Sequence, residues 1–351
     1  MGFDDGADQL KAASVTVVIP TYNRGPALRT TVESLLRNDP QGLSEVGIIV
    51  VDDGSSPPIG DLGVRTPVPF GITVLRQENR GPASARNRGF RAAKGQTVIF
   101  MDDDVVAPPD LISAHVAAHR RFPNSVIFGR CRRKPPERED AVFRTMVALD
   151  RSDTTTANGF QQADRVSSGQ LSVERGQFEA EGGVYCDELS TPAAEEFELS
   201  LRLKQRGIPA LLAASIVAVH DSPLSIEALC RQQYKHGLGY AEAALRRPDT
   251  RRLPELAAVI QKAQALGLVA WDRPRAGLRA LASGSLGRAT LLKFAKLAER
   301  WAPQSDALRP LYVATIAAHF AGGVRDGLRK SWRSPPDRHP RVGCPRRNEE
   351  S

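Results

Sequence analysis

The chain has 351 residues, 41% of them hydrophobic, with 48 Lys and Arg against 40 Asp and Glu, a formal charge of +8 and a sequence pI near 9.6. That apolar content excludes disorder throughout, and the basic balance suits polyanions, anionic membrane surfaces or phosphorylated small molecules without demanding any of them. The four cysteines, Cys131, Cys186, Cys230 and Cys344, are scattered with no CxxC or Cys/His cluster, so no zinc site or disulfide framework is signalled and reduced thiols are expected.

The first residues, MGFDDGADQLKAAS, are acidic and lack the basic and then apolar plan of a signal peptide, and Gly6 stands where myristoylation requires Ser or Thr. Four short runs follow: SVTVVIP (Ser14 to Pro20), VGIIVVDD (Val46 to Asp53), ITVLR (Ile72 to Arg76) and QTVIFMD (Gln96 to Asp102). Each is apolar nearly throughout, as strands covered on both faces are. Between the first two, GPALRTTVESLLRN places Leu28, Val32, Leu35 and Leu36 on one helical face; between the last two, GPASARNRGFRAAKG opens with Pro82 and stops at Gly95. This alternation predicts an α/β fold, a doubly wound, mainly parallel, Rossmann-like sheet with helices on both sides. Ligands bind such sheets beyond the carboxyl ends of the strands. Pro20 to Asn23, Asp52 to Ser55 and Asp102 to Asp104 should therefore open onto one crevice.

Beyond Arg130 the pattern weakens through RCRRKPPERED and the polar RSDTTTANGFQQADRVSSGQ, read as loop around a short strand. A helix is predicted over Glu195 to Gly207 and a strand ending at His220. From Leu224 to about Lys330 the chain reads as several helices separated by Pro254, Pro274 and Pro303, with a Pro-rich, basic tail after them that is expected to be disordered. The organisation expected is an N-terminal tail (1–13), an α/β domain (14–222) divided at residue 130 into two halves (14–130 and 131–222), a helical C-terminal extension (223–330) and the tail (331–351). LYVATIAAHFAGGV, Leu311 to Val324, is 14 residues and too short for a span of ~20, so no transmembrane helix is expected. Beside it, Arg325 to Arg347 carries eight Lys or Arg against two Asp, which suggests peripheral contact with anionic lipid.

The stretch VIFMDDDV, Val98 to Val105, crowds three carboxylates at a strand end. They repel one another unless a cation sits among them, and Mg²⁺ or Mn²⁺ prefers oxygen ligands and shares them with substrate phosphates. Arg86, in the first turns of its helix, would add counter-charge where backbone amides already favour anions. The same aspartates also read as a solvated turn capping a helix at Pro109 to Arg121, and the residues alone leave both readings open.

VVIPTYNRGPAL, VVDDGSS, ENRGPASARNRGFRAAKG and VIFMDDDV, in this order, resemble the strings of the family 2 glycosyltransferases of GT-A fold, over Val15 to about His220. The resemblance implies inverting transfer of a sugar from a nucleoside diphosphate donor (UDP-, GDP- or dTDP-linked) to an acceptor hydroxyl, with a divalent metal, Mn²⁺ or Mg²⁺, on a DXD motif. By the same resemblance Pro20, Thr21 and Tyr22 line the nucleobase pocket, and Asp53, with Asp52, hydrogen-bonds base or ribose. Arg86 lies near the donor, Asp102 meets ribose and metal, and Asp104 holds the metal. Asp103, grouped with the donor-binding aspartates, turns away, and His220 completes the metal site or contacts the diphosphate. Family members place a catalytic aspartate in strings like EDxDLSLR; here EEFELSLRL puts Glu196 in its place, with Glu195 as the other member of the pair. SSGQLSVERGQFEAEGGVYCDE resembles the acceptor-side segment, with Gly182 and Gly183 there for backbone shape.

Taken without the resemblance, Tyr22 is equally a core or rim aromatic, Arg86 a surface helix arginine, the glutamates complements to a helix dipole and His220 structural. The departure at Glu196 leaves a catalytically inactive homologue that binds nucleotide or glycan as the alternative function. No aromatic-interleaved basic strand supports nucleic-acid binding. A cytoplasmic location, with contact to the inner face of the membrane, is expected; the sugar, the acceptor and the oligomeric state are not specified.

Overall fold

The computed structural model describes residues 12–136, 139–149, 159–221, 225–246 and 284–333. Strands β1 (Ala13–Thr21), β2 (Leu43–Asp52), β3 (Phe70–Arg76) and β4 (Thr97–Met101) form the parallel half of a nine-stranded sheet in the order β3-β2-β1-β4. Helix α1 (Gly25–Leu35) follows β1, and α2 (Pro82–Ala92) follows β3.

The near-continuous apolar runs of β1, β2 and β4 are explained by burial on both faces, whereas β3, expected to be covered likewise, is an edge strand left largely exposed. Val15, Val17 and Ile19 of β1, with Val46, Ile48 and Val50 of β2, point to the side covered by Leu28, Val32 and Leu35 of α1. The intervening Val18, Ile49 and Val51 point to the side covered by Ala83, Ala85 and Phe90 of α2. Gly89 of α2 sits against Val18 with no room for a Cβ, which lets that helix lie close on the sheet. Pro26 and Pro82 occupy the first positions of their helices, where a missing N–H is harmless.

The second half of the sheet is mixed. β5 (Val105–Val106) precedes α3 (Leu111–Arg121), followed by β6 (Val126–Arg133), α4 (Ala141–Leu149), β7 (Phe160–Gln162), β8 (Gln170–Glu174), α5 (Ala194–Arg206) and β9 (Ala210–His220). β8 runs antiparallel to both β4 and β6, β9 runs parallel to β6, and β5 and β7 pair antiparallel with β9. The expected loop through RCRR is corrected: β6 carries it, with Gly129 and Arg130 at a register shift against β9. Helix α4 was likewise not anticipated; its buried Ala141 and Val142 pack with residues more than eighty positions away.

The C-terminal region forms α6 (Ile226–Arg246), α7 (Ser285–Trp301) and α8 (Arg309–Arg333), with Pro303 between the last two. Pro254, Pro274 and the tail from 334 lie outside the described residues. α6 is fastened to α5 by Phe197 against Tyr240 at 4.8 Å, and Phe320 of α8 closes on the same tyrosine. Gly237 of α6 and Gly323 of α8 meet where a side chain on either would strike the other helix's backbone. Within the apolar run Leu311 to Val324, Tyr312, Ile316, Ala318 and Ala321 are buried in helix packing, and most of the basic segment Arg325 to Arg347 lies outside the described residues. Cys186 is disulfide-bonded, while Cys131 and Cys230 form no disulfide; four reduced thiols were expected. A bond between isolated cysteines far apart in sequence leaves no spacing signature.

Candidate active site

The ends of β1, β2 and β4 converge as the parallel topology requires. After β1, Asn23 takes a left-handed backbone (φ 57°), and its N–H donates to Ser55 Oγ at 2.9 Å while its Oδ1 accepts from Ser56 N at 2.8 Å. This ties the loop after β1 to the loop after β2. Tyr22, 49% exposed, stands at the rim, available for stacking.

Asp52 and Asp53 shape the wall of the crevice. Asp52 is fully buried and accepts hydrogen bonds from Ser55 N, Ile59 N and Arg76 Nη1. Burial raises its pKa, but these donors outweigh burial and hold it below the usual carboxylate range. Asp53 accepts from Gln77 Nε2 and from the backbone N–H groups of Arg80 and Gly81, at 2.8 to 2.9 Å, which fixes the turn entering α2. Gly54 (φ 88°) lies so close to Asn79 N that a Cβ there would come within 2.9 Å. A surface depression beside this turn is lined by Gly54, Arg76, Gln77, Glu78 and Asn79.

The three aspartates after β4 diverge. Asp102 is partly exposed and accepts from Arg86 Nη2 at 2.8 Å. Asp103 turns inward, where Thr21 Oγ1 donates to it at 2.7 Å and Arg24 Nη1 at 3.0 Å; burial pushes its pKa up to about 6. Asp104 is buried between Arg24 Nη1 at 2.5 Å and His220 Nε2 at 3.3 Å. Two guanidinium groups thus already separate the crowded charges, Arg24 from the loop after β1 and Arg86 from the first turns of α2. Burial of Arg24 works against its charge, but Asp104 and Asp103 prevail and hold its pKa above the ordinary value.

His220 reaches Asp104 because the two-residue β5 pairs Val105 with His220 at the end of β9. One ligand atom each from Asp102, Asp104 and His220 lies within 4.8 Å of the others. Two carboxylates and an imidazole suit a hard or borderline divalent cation such as Mg²⁺ or Mn²⁺.

Helix α5 delivers the glutamates in its first turn. Glu195 is buried and bound to Arg86 Nη1 at 2.9 Å, with its second oxygen buried and without a partner. Burial pushes its pKa up to about 7, against the pull of Arg86. Glu196 is half-buried and accepts from Ser168 N at 2.6 Å; burial raises its pKa as well. Arg86 itself is buried, lies 5.3 Å from the Tyr185 ring centroid, and joins Asp102 to Glu195 through one guanidinium. Its neighbour Asn87 holds the acceptor-side segment, donating to Tyr185 O and accepting from Val184 N and Tyr185 N. Gly183 packs on Asn87 where a Cβ would clash, and Gly182 has φ 69°, as their expected role in backbone shape requires.

Of the sequence-predicted residues, Asp102, Arg86 and Glu195 are joined by ion pairs, Thr21 bonds Asp103 and Asp104 meets His220, while Asp52 is fully buried. Arg24, Ser168 and Tyr185 were not anticipated as site residues. Arg24 lies about eighty positions from the aspartates it meets, and neither it nor Ser168 carried a charge or spacing signal that would single it out.

The family model described as Glycosyl transferase family group 2 matches residues 97–322, and that described as Glycosyl transferase family 2 matches residues 16–173. The chain belongs to the family 2 glycosyltransferases. An uncharacterized glycosyltransferase of Bacillus subtilis is 35% identical over 115 residues, 32% of this chain and 29% of its own length. Validoxylamine A glucosyltransferase of Streptomyces hygroscopicus subsp. jinggangensis is 33% identical over 136 residues, 38% of this chain and 32% of its own. Succinoglycan biosynthesis protein ExoW of Rhizobium meliloti is 39% identical over 114 residues, 31% of this chain and 35% of its own. The match thus spans no more than 35% of any of these three relatives. Among solved structures, a mannosyltransferase of Pyrobaculum calidifontis, in complex with GDP-Man and Mn²⁺, aligns with a TM-score of 0.54 at 20% identity, over 92% of this chain and 90% of its own. That likeness establishes the GT-A fold.

Proposed function

We propose that the protein transfers a glycosyl group from a nucleoside diphosphate sugar to an acceptor hydroxyl with inversion, using a divalent cation. The observation that carries this reading is the Arg86 clamp: one buried guanidinium links Asp102, on the cation side, to Glu195, at the start of the helix that presents Glu196. The solved mannosyltransferase of the same fold contains GDP-Man and Mn²⁺, which supports a nucleotide-sugar donor and a divalent ion here.

Asp102, Asp104 and His220 would hold the cation, which when bound would offset charge on the departing diphosphate. The remaining roles belong to the chain. Tyr22 offers a face for the nucleobase, next to the turn that Asp53 fixes. Glu196 takes the acceptor hydroxyl's proton as that oxygen bonds to the anomeric carbon and the bond to the diphosphate breaks on the opposite face. Its raised pKa suits a base working near neutrality, and the hydrogen bond from Ser168 N orients it. Arg86 keeps Glu195 and Asp102 from repelling one another and fixes the start of α5. A cytoplasmic location, where such donors are made, belongs to the same proposal. No described helix is long and apolar enough to cross a membrane.

The test is incubation with UDP-, GDP- and dTDP-sugars and Mn²⁺, following nucleotide release and the anomeric configuration of the product by proton NMR. Release from one donor class with inverted product is expected; retained configuration, or no release from any donor with acceptor mixtures present, contradicts the proposal.

A further inference from the structure

Helix α7 buries little of itself. Ala295 is its one fully buried residue among those described, and Leu292 leans on the cluster formed by Ile226, Leu229, Tyr312 and Ile316. Arg288 turns in to Asp326 and Tyr234, but one arc of the helix faces solvent, and that face is sorted by chemistry. At 100° per residue, Lys296, Arg300 and Lys293 fall together along one edge of the exposed arc, while Leu286, Leu297, Trp301 and Phe294 fill the remainder. Leu286 is 80% exposed, Phe294 58%, Leu297 52% and Trp301 79%. Half of the exposed large hydrophobic side chains among the described residues are on this one helix.

Its charges point the same way. Lys296 donates to Glu227 at 2.8 Å, whereas Lys293 and Arg300 have no carboxylate partner among the described residues. The one acid of the helix, Glu299, is turned inward to the backbone at Ile226, so the exposed arc carries no negative charge. A second copy of this face would therefore offer cations nothing to pair with, whereas an anionic lipid surface offers both a negative sheet and an apolar layer below it. A tryptophan at the end of the helix suits the headgroup boundary.

We propose that α7 lies flat on an anionic bilayer, with Leu286, Phe294, Leu297 and Trp301 inserted among the lipids and Lys293 and Arg300 at the headgroups. This surface is distinct from the basic segment Arg325 to Arg347, and it stands whether or not the crevice transfers a sugar.

The test uses the full chain and sucrose-loaded vesicles of phosphatidylcholine alone or with one quarter phosphatidylglycerol. Binding to the anionic vesicles alone, weakened by salt, is expected. Lys293→Gln with Arg300→Gln should lower the partition coefficient on the order of fivefold per cation. Phe294→Ser with Leu297→Ser should lower it on the order of 100-fold, with the melting temperature unchanged. In a variant with Trp271 and Trp332 replaced by Phe, Trp301 emission should be quenched by brominated lipid and, without lipid, by acrylamide. Equal sedimentation of parent and serine variant overturns the proposal, as does Trp301 shielded from acrylamide without vesicles, which would mean that the chain covers its own helix. A dimer in sedimentation equilibrium that the serine variant converts to monomer also overturns it.

Discussion

Replacing Arg86 with Met breaks the clamp between the two halves of the crevice. The guanidinium donates to Asp102 at 2.8 Å and to Glu195 at 2.9 Å, and Glu195 is buried. Removing one partner of a buried ion pair costs about 3–5 kcal/mol, because the other charge is stranded. Glu195 can escape part of that penalty by taking up a proton, since burial already lifts its pKa from 4.5 to about 7 while Arg86 pulls it down. Without Arg86 the folded pKa moves further above the unfolded one. The folded variant then holds a proton that the unfolded chain releases, so its penalty is smallest near pH 5 and grows as the pH rises through neutrality. We expect a loss of about 3–5 kcal/mol at pH 8 and less than about half of that at pH 5. The melting temperature at pH 8 should fall by roughly 6–20 °C, at the rate of about 2–4 °C per kcal/mol typical of domains of about 150–250 residues. Adding Glu195→Gln to the variant should restore at pH 8 much of what low pH restores. Urea unfolding of the three proteins at both pH values is the assay. A loss within about 0.5 kcal/mol of zero at both, or one larger at pH 5, refutes the clamp.

Glu196→Gln should lower kcat by about 10²–10⁴-fold while leaving Mn²⁺ binding unchanged, and Glu196→Asp should retain more activity; a Gln variant as active as the parent removes Glu196 as the base. Arg24→Gln frees the Asp104 oxygen now bound at 2.5 Å, so Mn²⁺ binding without nucleotide, read by electron paramagnetic resonance, should tighten on the order of tenfold; weaker binding would make Arg24 a support of the site. His115 and His119, joined through Ser172 Oγ at 2.8 Å from each ring, are held by burial at about 4, so the unfolded chain binds more protons between pH 6.5 and 4. Stability should drop by about 2 kcal/mol per ring from pH 7 to pH 5, and a His115→Asn/His119→Asn variant should show a flatter slope; an unchanged slope sinks this assignment.

What the sequence makes legible depends on how local the signal is. Val15 to Pro20, but for Thr16, and Val98 to Met101 are apolar throughout because both sheet faces are covered, and a parallel sheet places Asp53 and Asp102 at the same ends of their strands. The quoted strings carried the donor-side half and the order of its elements. β6 was hidden because RCRR reads as a basic loop, although pairing with β8 and β9 satisfies its backbone. β5 has two residues, too few for any pattern, yet its pairing sets His220 beside Asp104. Arg24 answers the repulsion among the aspartates from a residue about eighty positions away, and distance in sequence carries no charge signal. The apolar run of α8 was legible in the sequence, but not that a neighbouring helix covers it. The glycine crossing of α6 and α8 decided that.

The central claim is that Asp104 and Asp102 hold a cation shared with a nucleoside diphosphate. Thermal unfolding of the parent and of Asp104→Asn with UDP, GDP or dTDP, each with and without Mn²⁺, tests it most directly. A nucleotide at 100 times its Kd stabilises the folded state by about 2.7 kcal/mol. The account requires one nucleotide to raise the parent's melting temperature only when Mn²⁺ is present, and the Asn variant to lose that rise. A rise that needs no metal, or one that Asp104→Asn leaves intact, contradicts it.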